Sequence, residues 1–148
     1  MVLFIDLRRI QGKSPMKYCM KRGGKPCRSV SKWNVDFERF STGISLFNRA
    51  QFFDAHEVLE DVWRPSAEPE RKFLQGLIQV AVALHHHSKG NLAGATSLLK
   101  RAARNLEGYP DDFCELSLGS LRKSVAEWRR ALEEKTPVPP VPKIVVGR

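Results

Sequence analysis

In the segment Phe52-Phe53-Asp54-Ala55-His56-Glu57-Val58-Leu59-Glu60-Asp61-Val62-Trp63, an imidazole and a carboxylate, His56 and Glu60, stand one helical turn apart. Residues i and i+4 of a helix share a face, so these two side chains meet. Such a pair can share a proton, act as general acid and base, or ligate one ion together. Projected at about 100° per residue, Phe52, Ala55, Leu59, Val62 and Trp63 form a broad apolar face with His56 and Glu60 at its edge. Asp54, Glu57 and Asp61 point the other way, toward solvent. Ionisable groups at the margin of a core must be paired, hydrogen-bonded or coordinated. The segment therefore marks a site, but it names no reaction.

A second polar stripe lies downstream. Residues 73–84 are apolar nearly all round, which predicts a helix central in its bundle. Yet Gln75, Gln79 and His86 project onto one narrow line of it, with Val82 between them. An unsatisfied buried polar group costs roughly 1–3 kcal/mol, so these side chains need partners. The expected partners are His56 and Glu60 on the preceding helix. His85, His86 and His87 look like a metal-binding tract, but consecutive helical residues diverge by about 100°. Only one can face a given point. His86 shares the glutamine line and is the first choice; His85 shares the line of Leu74, Ile78 and Ala81 and is the fallback.

These residues suit two chemistries. As metal ligands, His56, Glu60 and His86 would hold a divalent ion such as zinc, iron or manganese, with a position left open for water. The ion would activate that water while Glu60 or Glu57 moved protons, a hydrolase-like reaction. The pattern is H-E-x-x-E rather than the H-E-x-x-H of metallopeptidase helices, which argues against a peptidase. As a network, His56, Glu60, Gln75, Gln79 and His86 would form buried hydrogen bonds that fix helix register or hold a small polar ligand or partner. Trp63 would wall that network off and its indole N–H could join it. Arg49 projects between His56 and Glu60 and would neutralise Glu60 or bring an anion. The network is the preferred reading, because perturbed groups in folded proteins often belong to ion-pair networks. Other schemes lack their signatures: no serine stands in an elbow motif, Cys114 has no histidine pattern nearby, and no strand precedes Gly23-Gly24.

The positioning elements are helices. Phe37, Phe40, Ile44 and Phe47 recur at three and four residues and predict a first helix over 34–49. The His56 segment is the second and ends before Pro65. Pro69 and Glu70 suit the first turn of a third, running to Ser88. Gly90-Asn91 makes a turn, with Asn91 as N-cap of a fourth helix over 92–107, which Gly108-Tyr109-Pro110 stops. Leu118, Leu121, Val125, Trp128 and Leu132 predict the last, over 117–135. Short connections imply antiparallel neighbours, hence an all-α fold, a single up-and-down bundle of about five helices.

The totals bound the rest. A chain of 148 residues suits one domain with a real core. Its net charge of +9 suggests nucleic acid until it is located. Residues 1–33 hold nine Lys or Arg against one acid, Asp6, a net of +8, so the remainder is close to neutral. The expected organisation is a basic, disordered N-terminal extension (1–33), the helical domain (34–135) and a proline-rich extended C-terminal tail (136–148). The basic extension has no secretory h-region; an organelle transit segment, or a true start at Met16 or Met20, are its other readings. Residues 1–32 could grip nucleic acid non-specifically. Three cysteines without framework spacing point to a reducing, cytoplasmic setting. No run of eighteen apolar residues exists to span a membrane. A monomer or small homo-oligomer is expected.

The same residues carry a family resemblance. Phe47-Asn48, the whole run from Phe52 to Trp63, Leu74-Gln75-Gly76-Leu77-Ile78-Gln79-Val80-Ala81, His86 and Gly90-Asn91-Leu92-Ala93-Gly94-Ala95 occur in this order. In that conjunction, over residues 37–131, the chain resembles the small, mostly bacterial family catalogued as domain of unknown function 309. The resemblance implies an all-helical bundle with no established activity.

Overall fold

The computed structural model describes residues 35–146. The expected basic extension of residues 1–33, with Cys19 and Cys27, lies outside the described residues. Five α-helices follow one another: α1 (Phe37–Asn48), α2 (Phe52–Trp63), α3 (Glu70–Ser88), α4 (Leu92–Leu106) and α5 (Leu118–Glu134). They coincide with the helices that the apolar periodicity predicts and differ only at their ends. The fold is an all-α bundle in which each helix packs on the next, α1 on α2, α2 on α3, α3 on α4 and α4 on α5. Among the described residues there is no sheet, only an isolated antiparallel bridge between Leu116 and Val146. No helix among them is long and apolar enough to cross a membrane.

Local chemistry sets the ends. Asp36 caps α1 by accepting from the Arg39 N–H at 3.1 Å. Ala50, at φ 62°, then reverses the chain into α2. The α2 C-terminus is closed by Arg71, which donates to the carbonyls of Trp63, Arg64 and Ser66 at 3.1–3.2 Å. At the end of α3, Gly90 takes the left-handed φ of 80° that the turn requires, and the Asn91 N–H returns to the His86 carbonyl. Asn91 caps α4 through Gly94 N–H, as its position predicts.

The core is centred on α3, whose residues 73–81 are all buried. Phe47 of α1 meets Phe52 of α2 edge-on at 5.4 Å, and Phe73 packs against Tyr109 and Phe113. At Gly76 α3 and α4 approach closely: an added Cβ would lie 2.7 Å from Leu106 Cδ2. That contact brings α4 against one particular face of α3. Beyond α5 the proline-rich segment runs back across the bundle, where Ile144 is 2% exposed and joins the core.

Candidate functional site

The α2 backbone puts His56 and Glu60 where their spacing predicts, on the margin of the apolar face, and both are buried. Nε2 of His56 lies 2.7 Å from Glu60 Oε1. Nδ1 of the same ring faces the Phe53 carbonyl at 3.1 Å, one turn back on α2. The carbonyl can only accept, so the ring donates to it when Nδ1 carries the proton. Glu60 Oε1 is buried and has no aligned hydrogen-bond partner, so its approach to Nε2 is an ion-pair contact rather than a well-formed hydrogen bond.

Burial raises the Glu60 carboxyl above the ordinary value of 4.5, against the opposing pull of His56 and then Arg64. Arg64 sits one turn further along α2, with Nη2 3.5 Å from Glu60 Oε2 and Nη1 3.3 Å from Asp61. The result is an i, i+4, i+8 ladder, His56–Glu60–Arg64, running from the buried margin out to solvent. Arg64 is the residue that the sequence reading missed. The signal was the Glu–Arg spacing of four, hidden by the helix stop at Pro65. Arg49, expected in that role, instead ends α1 and is exposed. The reversal at Ala50 takes it off the α2 axis, so its projection at 100° per residue does not continue into α2.

The α3 stripe meets a different neighbour. Gln79, 1% exposed, accepts from Asn105 Nδ2 of α4 at 2.7 Å. His86 lies 3.3 Å from the side chain of Asn91, the α4 N-cap. The glutamine line thus faces α4 rather than His56 and Glu60, because the close approach at Gly76 brings Leu106 and Asn105 to that side. Gln75 is buried on α3, and its side chain makes no hydrogen bond among the described residues. Asn105 is a second residue that the periodicity passed over, a polar side chain beside the apolar stripe of α4.

The three consecutive histidines diverge as their angular spacing predicts. His85, on the line facing α2, meets the Phe53 ring at 5.5 Å in a tilted arrangement, and Phe53 meets the His56 ring at 5.5 Å, also tilted. Partial burial, then the charge of Lys89, lowers the His85 pKa. His87 meets the edge of Trp128 at 4.9 Å. Glu57 is exposed and points away from the ladder. Trp63 turns its ring under the Arg71 guanidinium, 3.9 Å away, and its buried Nε1 has no acceptor. Among the described residues no three His, Cys, Asp or Glu side chains form a group that could hold a metal ion. His56 and Glu60 are the two candidate ligands that stand together. Burial pushes the Cys114 thiol far up, away from the reactive thiolate.

Residues 40–98 match the family described as "Domain of unknown function (DUF309)". An "Uncharacterized protein" of Aquifex aeolicus (strain VF5) is 35% identical over 82 residues, 55% of this chain and 25% of its own length. "Uncharacterized protein YpuF" of Bacillus subtilis (strain 168) is 42% identical over 57 residues, 38% of this chain and 33% of its own length. The chain thus spans a quarter to a third of these relatives. The family match covers the ladder, the α3 stripe and the first half of α4; Asn105, α5 and the C-terminal segment lie beyond it.

Proposed function

We propose that this bundle is a cytoplasmic binding module in which the α2 ladder is structural. The ladder holds the His56–Glu60 pair at the margin of the core and stiffens α2 along its own axis. The exposed edge around Phe53 and His85 then keeps one shape toward a partner or small polar ligand. One observation carries the reading: the ladder's polar atoms face complementary atoms of the same chain. His56 Nδ1 faces a carbonyl, His56 Nε2 faces Glu60, and the other Glu60 oxygen faces Arg64. A catalytic acid or base must be free to reach a substrate, whereas these groups are turned toward one another, with Glu60 Oε1 buried and held by charge rather than by an aligned hydrogen bond. The Gln79–Asn105 bond ties α3 to α4. Phe53, 37% exposed between two imidazoles, supports a contact surface. The short share of each relative that aligns supports a module used within longer chains. The unpatterned cysteines support the compartment.

The test is elemental analysis of untagged protein, with His56→Ala in parallel. The expected result is no stoichiometric zinc, iron or manganese in either, with a lower melting temperature in the variant. Near one equivalent of metal, lost in His56→Ala, would overturn the reading in favour of the metal-dependent hydrolase.

A further inference from the structure

The bundle holds its own C-terminal segment as a receptor holds a peptide. Along residues 141–145, Pro142 and Ile144 are buried while Val141, Lys143 and Val145 are exposed, the period of two of an extended strand. The main chain is gripped at successive points. Trp128 Nε1 donates to the Pro140 carbonyl at 3.0 Å. The Asn48 side chain takes both polar atoms of Ile144: Nδ2 donates to its carbonyl and Oδ1 accepts from its N–H, each at 2.8 Å. The Ser117 N–H donates to the Val145 carbonyl at 2.8 Å, beside the bridge from Leu116 to Val146. The Lys143 ammonium donates to the Asn48 carbonyl. Main-chain bonds of this kind recognise an extended chain as such, and the alternate buried places select its side chains.

The linker to this segment is tied at Thr136, whose N–H donates to the Ala131 carbonyl at 2.9 Å, and is held less beyond it. Lys135 takes a left-handed φ of 55°, and Lys135, Thr136 and Pro137 are exposed. Val138 lines a cavity of about 520 Å³ together with His87, Leu92, Leu132 and Lys135. Pro137 and Pro139 have no N–H to tie them down. The segment is thus anchored at its far end and spans an opening at its near end.

We propose that the cradle formed by Asn48, Trp128 and Leu116–Ser117 is a peptide-binding site occupied in cis by residues 140–146. The partner it fits is an extended peptide with proline and, two residues later, a bulky aliphatic side chain. A partner peptide must displace the cis segment, which makes that segment autoinhibitory. The site is separate from the α2 ladder and does not depend on its reading.

The probe is a fluorescent peptide with the sequence of residues 137–146, titrated against the full chain and against full-length Ile144→Asp. A short tether gives the cis segment a millimolar effective concentration, so peptide binding is expected to be about tenfold or more tighter to Ile144→Asp than to the unaltered chain. Adding Asn48→Ala should weaken that binding about tenfold, since it removes two main-chain bonds. Equal affinity for both chains, or no binding to an Ile144→Asp chain of normal helical circular dichroism, overturns the proposal. Should Ile144→Asp lose its helicity, the chain is instead cut at a protease site replacing Pro137–Pro139. The cut segment is expected to stay with the bundle in gel filtration and to exchange for excess labelled peptide. Its separation, or its failure to exchange, overturns the proposal equally.

Discussion

The buried contact of His56 with Glu60 governs the energetics at the margin of α2. Replacing His56 with Ala leaves a buried carboxylate whose remaining cation, Arg64, has a side chain 61% exposed and screened by water. The expected loss is about 3 kcal/mol, the scale of breaking a buried ion pair, read from chemical denaturation. Arg64→Ala should cost less than about 1 kcal/mol, because an exposed partner contributes little. Equal losses in the two variants would mean that burial does not separate the roles of the two cations. The pH dependence has a definite sign. Glu60 is raised in the native state, so the folded chain binds its proton more readily than the unfolded chain does. Its contribution is therefore complete below 4.5 and is lost as pH rises through the raised value. The melting temperature of the unaltered protein should fall relative to Glu60→Gln as pH is raised from 4.5. A constant difference across that range would refute the assignment. The contact of His56 with Glu60 was legible in the sequence, since helix geometry alone enforces it. Arg64 was legible in principle, being on the same helix.

Pairs of elements follow a different logic, because the face one helix offers another is decided by the closest approach. At Gly76 an added methyl would press on Leu106, which is fully buried and has nowhere to move. Overpacking costs about 1–3 kcal/mol, more than the roughly 1 kcal/mol that alanine gains over glycine in a helix. Gly76→Ala is therefore expected to destabilise, by a net loss of about 1 kcal/mol in denaturant titration. The Gln79–Asn105 bond gives a sharper case. Asn105→Ala strands a buried amide oxygen and should cost about 1–3 kcal/mol, while Gln79→Leu with Asn105→Leu should recover most of it. A double variant no better than the single one would show that the bond does more than satisfy its members. The stripe of Gln75, Gln79 and His86 was visible in the sequence, but its partner was not. Periodicity fixes angles about one axis and says nothing of which neighbour lies at each angle.

For the whole molecule, charge and topology separate. The basic excess lies in residues 1–33, while the rest of the chain is close to neutral. A chain lacking residues 1–32 is therefore expected to leave a cation exchanger at much lower salt, and any retention on nucleic acid should vanish with the deletion. Retention that survives would move the interaction to the bundle, where Lys100 is already paired with Glu133 at 3.2 Å. The C-terminal segment shows the reverse relation of composition to structure. Four prolines between 137 and 142 read as the end of a fold, yet Ile144 completes the core beside α1 and α5. Its anchor, Asn48, is 96 residues away.

By itself the sequence determined the number, extent and order of the helices, the all-α class, and the meeting of His56 with Glu60. These depend on interactions within a few residues, which repeat period and capping chemistry encode directly. The tertiary structure alone decided that Gln79 meets Asn105, which neighbour each of the three diverging histidines meets, and that residues 140–146 fill a cradle on the bundle. Those outcomes depend on which surfaces approach most closely, and that is settled by small side chains and packed volumes acting across the whole chain.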